Sequence, residues 1–183
     1  MIAVDKGVLL IAEPFMKDKN FQRTVVLICE HDEAGSFGMV LNRKRKDQVG
    51  AYIEFLEDCT FNIYDGGPVQ RDHVHFLHRR PDLIPDGQQV GEGIYWGGDF
   101  GIVCNEINSG NITEHDIRFY IGYAGWGENQ LDDEMKEKSW LTIAASADIV
   151  FERNTSQIWK NAVKKLGDEF TPIIHYPLDP SFN

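Results

Sequence analysis

The sequence predicts an α+β fold, with a single domain over residues 1–183. Apolar and β-branched segments of strand length cluster early in the chain, whereas amphipathic segments with helical spacing dominate the second half. A regular alternation of strand and helix is missing, which disfavours a doubly wound sheet. The 183 residues are 42% hydrophobic and 11% aromatic, which is enough for one core and argues against global disorder.

The first half of the chain predicts a series of short strands. Val8 to Ala12 is a fully apolar run closed by Glu13-Pro14, typical of a buried strand. Thr24 to Cys29 and Ser36 to Leu41 flank a polar turn and predict a hairpin. Further strands are predicted at Phe61 to Tyr64, at His73 to His78, and in pieces between Gln89 and Trp96.

Helical signals are strongest in the second half. Asp99 follows two glycines and is a candidate N-cap for a helix that Gly110 would end. Asn154 is a candidate N-cap with Gln157 in the capping-box position, and Gly167 would end that helix. The other predictions are short helices within Gln48 to Asp58 and over Glu128 to Lys138, strands at Ile117 to Ala124, Trp140 to Ala145 and Asp148 to Phe151, and an irregular tail over 168–183.

The stretch RFYIGYAGWGENQL, residues 118–131, predicts the joint between a strand and a helix. Strict alternation would place Phe119, Ile121 and Tyr123 on one face of the strand. Gly125 and Gly127 would permit the change of direction, and Trp126 would be a packing anchor whose indole N–H needs a partner. A structural joint is favoured over a dedicated ligand loop.

Charge and cysteine content restrict the function classes. A formal net charge of −11 repels nucleic acid phosphates and anionic membrane surfaces. The short basic run Arg43 to Lys46 is interpreted as a solvated loop. Three widely spaced cysteines, no good signal peptide and no apolar run long enough to span a membrane predict a cytoplasmic protein.

Catalytic and metal-site motifs are weak or missing. The sequence contains no P-loop, GxGxxG, HExxH or GxSxG motif, and neither catalytic residues nor a cofactor are predicted. His73 and His75 would share a face of their strand and are weak metal-ligand candidates, but a polar edge strand is favoured. Gly97-Gly98-Asp99 could form an anion site at a helix N-terminus, although Asp99 as N-cap would occupy the same donors.

Several segments together resemble the YqgE/AlgH family of bacterial proteins, in the expected order from Gly7 to about Phe151. They are GVLLIAEPFMKDKNFQRTVVLICEHDEAGSFGMVLNR, DGGPVQRDHVHFLH, IYWGGDF and RFYIGYAGWGENQLDDEMKEKSWL. The resemblance implies a single α+β domain around a strongly bent, mainly antiparallel, partly barrel-like sheet with flanking helices. The family is often labelled as transcriptional regulators, and no catalytic residue follows from it. Lys44 stands where a proline often follows Asn42-Arg43.

The sequence leaves two main functional hypotheses. The first is a non-enzymatic regulatory or interaction protein with an unknown protein or small-molecule partner and no direct contact with DNA. The alternative is an enzyme or small-molecule-binding protein with a cleft near Arg43, Asp99 and Trp126. Direct DNA binding ranks third, and the oligomeric state is open. The candidate binding surface comprises Asn42, Arg43, Gly66, Gly67, Gly97, Gly98, Asp99, Gly125, Trp126 and Gln130.

Overall fold

The computed structural model describes residues 1–177 and shows a single α+β domain. In these residues ten strands form one curled sheet, with the order β10-β1-β2-β3-β9-β6-β8-β7 and β4-β5 branching from β9. All pairings are antiparallel except that of β5 with β9. The strands are β1 Val8–Ala12, β2 Val25–Asp32, β3 Gly35–Val40, β4 Lys44–Gln48, β5 Asn62–Asp65, β6 Val69–His78, β7 Gln88–Gly91, β8 Ile94–Trp96, β9 Ile117–Gly127 and β10 Trp140–Ala144.

Four α-helices flank the sheet within the described chain: α1 Phe100–Asn108, α2 Gln130–Lys136, α3 Ala147–Val150 and α4 Thr155–Leu166. The predicted caps of the two main helices are confirmed, because the Asp99 side chain accepts from the Ile102 amide and that of Asn154 accepts from the Ser156 amide. A capping box would also have the Gln157 side chain accept a hydrogen bond from the Asn154 amide. In the structure Glu152 Oε1 accepts that hydrogen bond instead, at 2.9 Å.

Strand β1 is apolar on both faces because both of its faces are covered. Leu9 and Ile11 of β1 belong to a core cluster closed by α3 and α4, whereas Val8 and Leu10 belong to a second cluster under α2. A third cluster packs Val103, Cys104 and Ile107 of α1 against β5, β6 and β9. Coverage on both sides explains why β1 shows a continuous hydrophobic run and no alternation.

Four local predictions are wrong. Asp148 to Phe151, predicted as a strand, lies mostly in α3, and 168–175 of the predicted irregular tail form a 3₁₀ helix. The basic run that was predicted to be a loop forms most of edge strand β4, whose charged side chains keep a free edge solvated. Gln48 to Asp58 contains two 3₁₀ turns, Val49–Ala51 and Glu54–Leu56, in place of an α-helix. Residues 178–183 of the tail lie outside the described residues.

Strand β9 does not follow the strict alternation predicted for it, because Gly122 has φ = +68°. Phe119 and Ile121 pack in the cluster under α1, but Tyr123 packs with Tyr120 in the cluster under α4. A left-handed residue reverses the facing of the side chains that follow it. A Cβ at Gly122 would lie 2.7 Å from the Gly67 carbonyl oxygen, so this glycine also permits the close approach of the segment between β5 and β6.

The sharp change of direction predicted at Gly125 and Gly127 is also displaced. Both glycines lie within β9, which pairs with β3 as far as Gly127 opposite Gly35. The chain turns at Asn129, which has φ = +60° and precedes α2. Asparagine tolerates this left-handed conformation better than most residues do, so the turn does not need a glycine.

Candidate functional site

The hairpin formed by β2 and β3 borders two adjoining cavities of about 450 and 530 Å³. They share Asp32 and Gly35 at the hairpin tip and lie on opposite faces of the hairpin, and we refer to them together as the hairpin groove. The first cavity has an aromatic and apolar wall, and the second lies between the hairpin tip and the start of α2. The lining residues are Glu30, Asp32, Ala34, Gly35, Ser36, Phe37, Val69, Tyr123, Gly125 and Trp126 in the first, and His31, Glu33, Gly127, Glu128, Asn129, Leu131 and Asp132 in the second.

The hairpin groove has a strongly negative lining. Five carboxylates border it, from Glu30, Asp32, Glu33, Glu128 and Asp132, and none of the described residues that line it is lysine or arginine. The Asp32 side chain has a local structural role, because its Oδ1 accepts from the amides of the turn at 2.8 and 3.2 Å. The remaining carboxylates are exposed and give the groove a field that attracts cations.

Four aromatic rings from neighbouring strands form a cluster beside the groove. Phe37 lies 4.6 Å from Tyr123, 4.8 Å from Trp96 and 5.4 Å from His75, measured between ring centroids. All four residues are partly exposed, so their faces and edges are available at the surface of the sheet. Aromatic faces of this kind attract guanidinium and ammonium groups.

The two histidines proposed as weak metal ligands have separate environments. His73 is exposed and pairs with Asp72 at 3.0 Å, whereas His75 lies in the aromatic cluster with its Nε2 buried and without a hydrogen-bond partner in residues 1–177. Burial, and then the charge of His73, lowers the pKa of His75 and favours the neutral ring. Among the described residues no group of three or more His, Cys, Asp and Glu side chains could hold a metal ion.

Trp126, whose indole was predicted to need a partner, forms a network with a residue that sequence reasoning missed. Glu134 Oε2 accepts from the indole N–H of Trp126 at 2.9 Å and from that of Trp140 at 2.7 Å. Both rings are almost fully buried, at 4% and 1% exposure, and their centroids are 6.0 Å apart. Gln130 bridges this network to β9, because it donates to Glu134 Oε1 and accepts from the Gly127 amide.

The candidates in the first half of the chain lie around a different, smaller cavity of about 210 Å³. Arg43 and Gly67 line it together with Asp65, which pairs with Arg71 at 3.0 Å. Gly66 lies next to Gly67 in the segment between β5 and β6, which passes close to β9. A Cβ at Gly66 would lie 2.3 Å from the Gly122 carbonyl oxygen. Asn42 has a structural role, because its side chain accepts from the Val25 amide and donates to the Arg23 carbonyl.

Gly97, Gly98 and Asp99 form a third location, at the start of α1. The Asp99 amide donates to the Pro85 carbonyl, and a Cβ at Gly98 would lie 2.6 Å from Ile84. The structure therefore does not bring Arg43, Asp99 and Trp126 into one cleft: Arg43 and Trp126 line different cavities, and Asp99 caps α1.

Two of the three cysteines are buried away from reagents in solution. Cys29 and Cys104 are buried, and burial raises the pKa of each thiol. Cys59 is partly exposed, and burial also raises the pKa of its thiol. Within the described chain no helix is long and apolar enough to cross a membrane.

The comparisons with known proteins agree across sequence and structure. A family model described as AlgH-like matches residues 9–171. A UPF0301 protein of Chlorobium chlorochromatii is 41% identical over 97% of this chain and 94% of its own, and one of Cytophaga hutchinsonii is 36% identical over 97% and 98%. The solution structure of AlgH from Pseudomonas aeruginosa is similar with a TM-score of 0.75, 30% identity and coverage of 97% and 98%. Protein DIP2367 of Corynebacterium diphtheriae has the same fold, with a TM-score of 0.81, 21% identity and coverage of 96% and 94%.

Proposed function

The chain belongs to the AlgH-like family, and on this premise we propose that it is a non-enzymatic interaction protein that binds a basic segment of a partner protein in the hairpin groove. The observation that carries the proposal is the lining of the groove, with five carboxylates, an aromatic wall and no lysine or arginine among the described residues. Complementary charge of this kind accelerates encounter and selects a partner of opposite sign.

The aromatic wall favours arginine-rich or lysine-rich segments over simple cations. Phe37 and Tyr123 line the groove with partly exposed rings, so a guanidinium group can stack on them while the carboxylates at the rim accept its hydrogen bonds. A hydrated metal ion would gain nothing from these rings.

The same charges argue for regulation through a protein and against direct binding to DNA. The net charge of −11 opposes association with phosphates, and the basic run on β4 is short and followed by Asp47. We propose that any regulatory role passes through the bound partner. We also propose a cytoplasmic location, which the three free cysteines favour.

The non-enzymatic part of the proposal is supported by the structural roles of the polar candidates. Asp99 caps a helix, Asn42 holds two strands together, and Gln130 joins β9 to α2. Each side chain therefore has a structural use that does not require a substrate.

Binding to an array of arginine-rich and lysine-rich peptides tests the proposal, with affinities then measured by fluorescence anisotropy. Replacing Glu30→Gln and Asp132→Asn together should weaken binding roughly tenfold, because two attractive charges at the groove are lost. The matched control, Glu57→Gln with Asp58→Asn, removes the same charge from exposed positions outside the groove and should change little.

A third variant, Phe37→Leu, keeps an apolar side chain at the wall but removes the aromatic face, and should also weaken binding. Equal losses for the groove variant and the control would show that only net charge matters and would refute the site. Failure of every basic peptide to bind, or tighter binding of a DNA duplex, would refute the proposed function.

A further inference from the structure

A buried arginine in the middle of the sheet has no carboxylate partner in the described chain. Arg118 lies on β9 and is 5% exposed. It donates from Nη1 to the Val150 carbonyl at 3.1 Å and from Nη2 to the Glu152 carbonyl, and its Cζ lies 4.5 Å above the Tyr64 ring. An arginine has five N–H donors, so three remain beyond those two bonds. Burying a charge without a counterion is costly, and such a charge attracts an anion.

Arg118 lines a cavity of about 330 Å³ between the β4–β5 pair and the start of α4, which we call the arginine cavity. This volume lies in the range of small-molecule sites. The other lining residues are Lys44, Asn62, Tyr64, Glu114, Ile117, Arg153 and Asn154. The cavity therefore carries three cationic side chains and one carboxylate, in a protein whose net charge is −11.

The single carboxylate of the cavity is already engaged. Glu114 accepts from the amide and the side chain of Asn62, each at 2.6 Å, and pairs with Arg153 at 3.5 Å. Lys44 forms no ion pair with the described residues and is an exposed residue of the cavity lining. The net charge of the side chains that line the cavity is therefore positive even when Glu114 is included.

Two further features add to the positive potential. Asn154 is the N-cap of the 12-residue helix α4, so the positive end of the helix dipole borders the cavity. The charge of Arg118 also opposes the rise in the pKa of the Tyr64 and Tyr120 phenols that burial causes, so it acts on side chains of both β5 and β9.

We propose that the arginine cavity binds a small phosphate-bearing anion, such as a phosphate ester or a pyrophosphate group. Two arginines and a lysine line one cavity, and a planar guanidinium matches phosphate oxygens in bidentate fashion. This inference is independent of the hairpin groove, which lies at the other end of β9 and has the opposite charge.

Isothermal titration calorimetry on the full chain tests the site, with pyrophosphate, inorganic phosphate and citrate as the probes. Pyrophosphate should bind, and Lys44→Gln or Arg153→Gln should weaken it roughly tenfold, since each removes one charge-assisted contact. Lys46→Gln is the matched control: it removes the same charge from the same strand but from outside the cavity, and should leave the affinity unchanged.

Four outcomes would overturn the inference. These are no binding of pyrophosphate or phosphate at millimolar concentration, equal weakening by Lys46→Gln and Lys44→Gln, citrate binding as tightly as pyrophosphate, and unchanged affinity in both cavity variants. Arg118→Lys, checked by circular dichroism for folding, should bind pyrophosphate more weakly because an ammonium group cannot bind in bidentate fashion. Basic-peptide binding by Lys44→Gln should remain at the wild-type level, which separates a failure here from a failure of the hairpin groove.

Discussion

Replacing Glu134 by alanine is expected to destabilise the fold through the two tryptophans that depend on it. Its Oε2 is the acceptor for the indole N–H groups of both Trp126 and Trp140. These rings join β9 to β10 under α2, where Phe21 also packs against both. Without the carboxylate, the two indole N–H donors lose their acceptor, in residues that are at least 96% buried.

The magnitude follows from the cost of an unsatisfied donor. A buried N–H that loses its partner costs about 1–3 kcal/mol, and a bond to a charged acceptor is at the stronger end. Glu134 itself is partly exposed, so water replaces the acceptor in part. We therefore expect Glu134→Ala to reduce the free energy of unfolding by about 3 kcal/mol, which lowers the Tm of a chain of this size by roughly 6–12 °C.

Urea denaturation followed by far-UV circular dichroism measures this loss without relying on tryptophan fluorescence, which the substitution itself would alter. Glu137→Ala is the control, since Glu137 is exposed at the end of the same helix and should cost less than about 0.5 kcal/mol. Glu134→Gln retains an acceptor oxygen and should fall between the two. A Glu134→Ala variant as stable as Glu137→Ala would refute the reasoning.

Three further predictions concern the core. Gly122→Ala should destabilise the fold by about 2 kcal/mol or more, because alanine is strained at φ = +68° and its Cβ would clash with carbonyl oxygens. Gly127→Ala is the control and should be nearly neutral in the same urea titration, since a Cβ there meets no atom within 4 Å. Burial lowers the pKa of His78 in the folded protein, so the unfolded chain binds more protons at mildly acidic pH. The free energy of unfolding should therefore fall as pH drops through the ordinary histidine pKa and level off below the pKa of His78 in the folded protein. His78→Gln should flatten this pH profile. In native buffer a thiol reagent should modify Cys59 but not Cys29, and modification of Cys29 before unfolding would contradict its burial.

Much of the fold could be predicted because its signals are local. The apolar run of β1, the hairpin of β2 and β3, and the capped helices α1 and α4 follow from periodicity and from a few capping residues. Short segments such as Asp148 to Phe151 were predicted wrongly, because four apolar or mixed residues fit a strand and a helical turn equally well until their neighbours are known.

The candidate sites were less predictable, since they depend on residues far apart in sequence. Trp126 is predicted to need a partner, but the local pattern does not distinguish its acceptor Glu134 from the other acidic residues of the predicted helix over Glu128 to Lys138. Arg118 did carry a signal, as the single charge inside the apolar strand IRFYIGYA, although nothing nearby in the sequence identified Lys44 or Arg153 as its neighbours.

The sequence by itself determined the secondary structure of the longer elements, the acidic character and the family, because each is encoded in local composition or in ordered blocks. Tertiary structure decided which charges share a space. The left-handed Gly122 reverses the facing of β9, so that Tyr123 joins the aromatic cluster beside the hairpin groove, while Arg118 and the edge strand β4 meet at the arginine cavity. These arrangements arise from strand pairing across the sheet, which brings distant segments together and leaves no trace in local pattern.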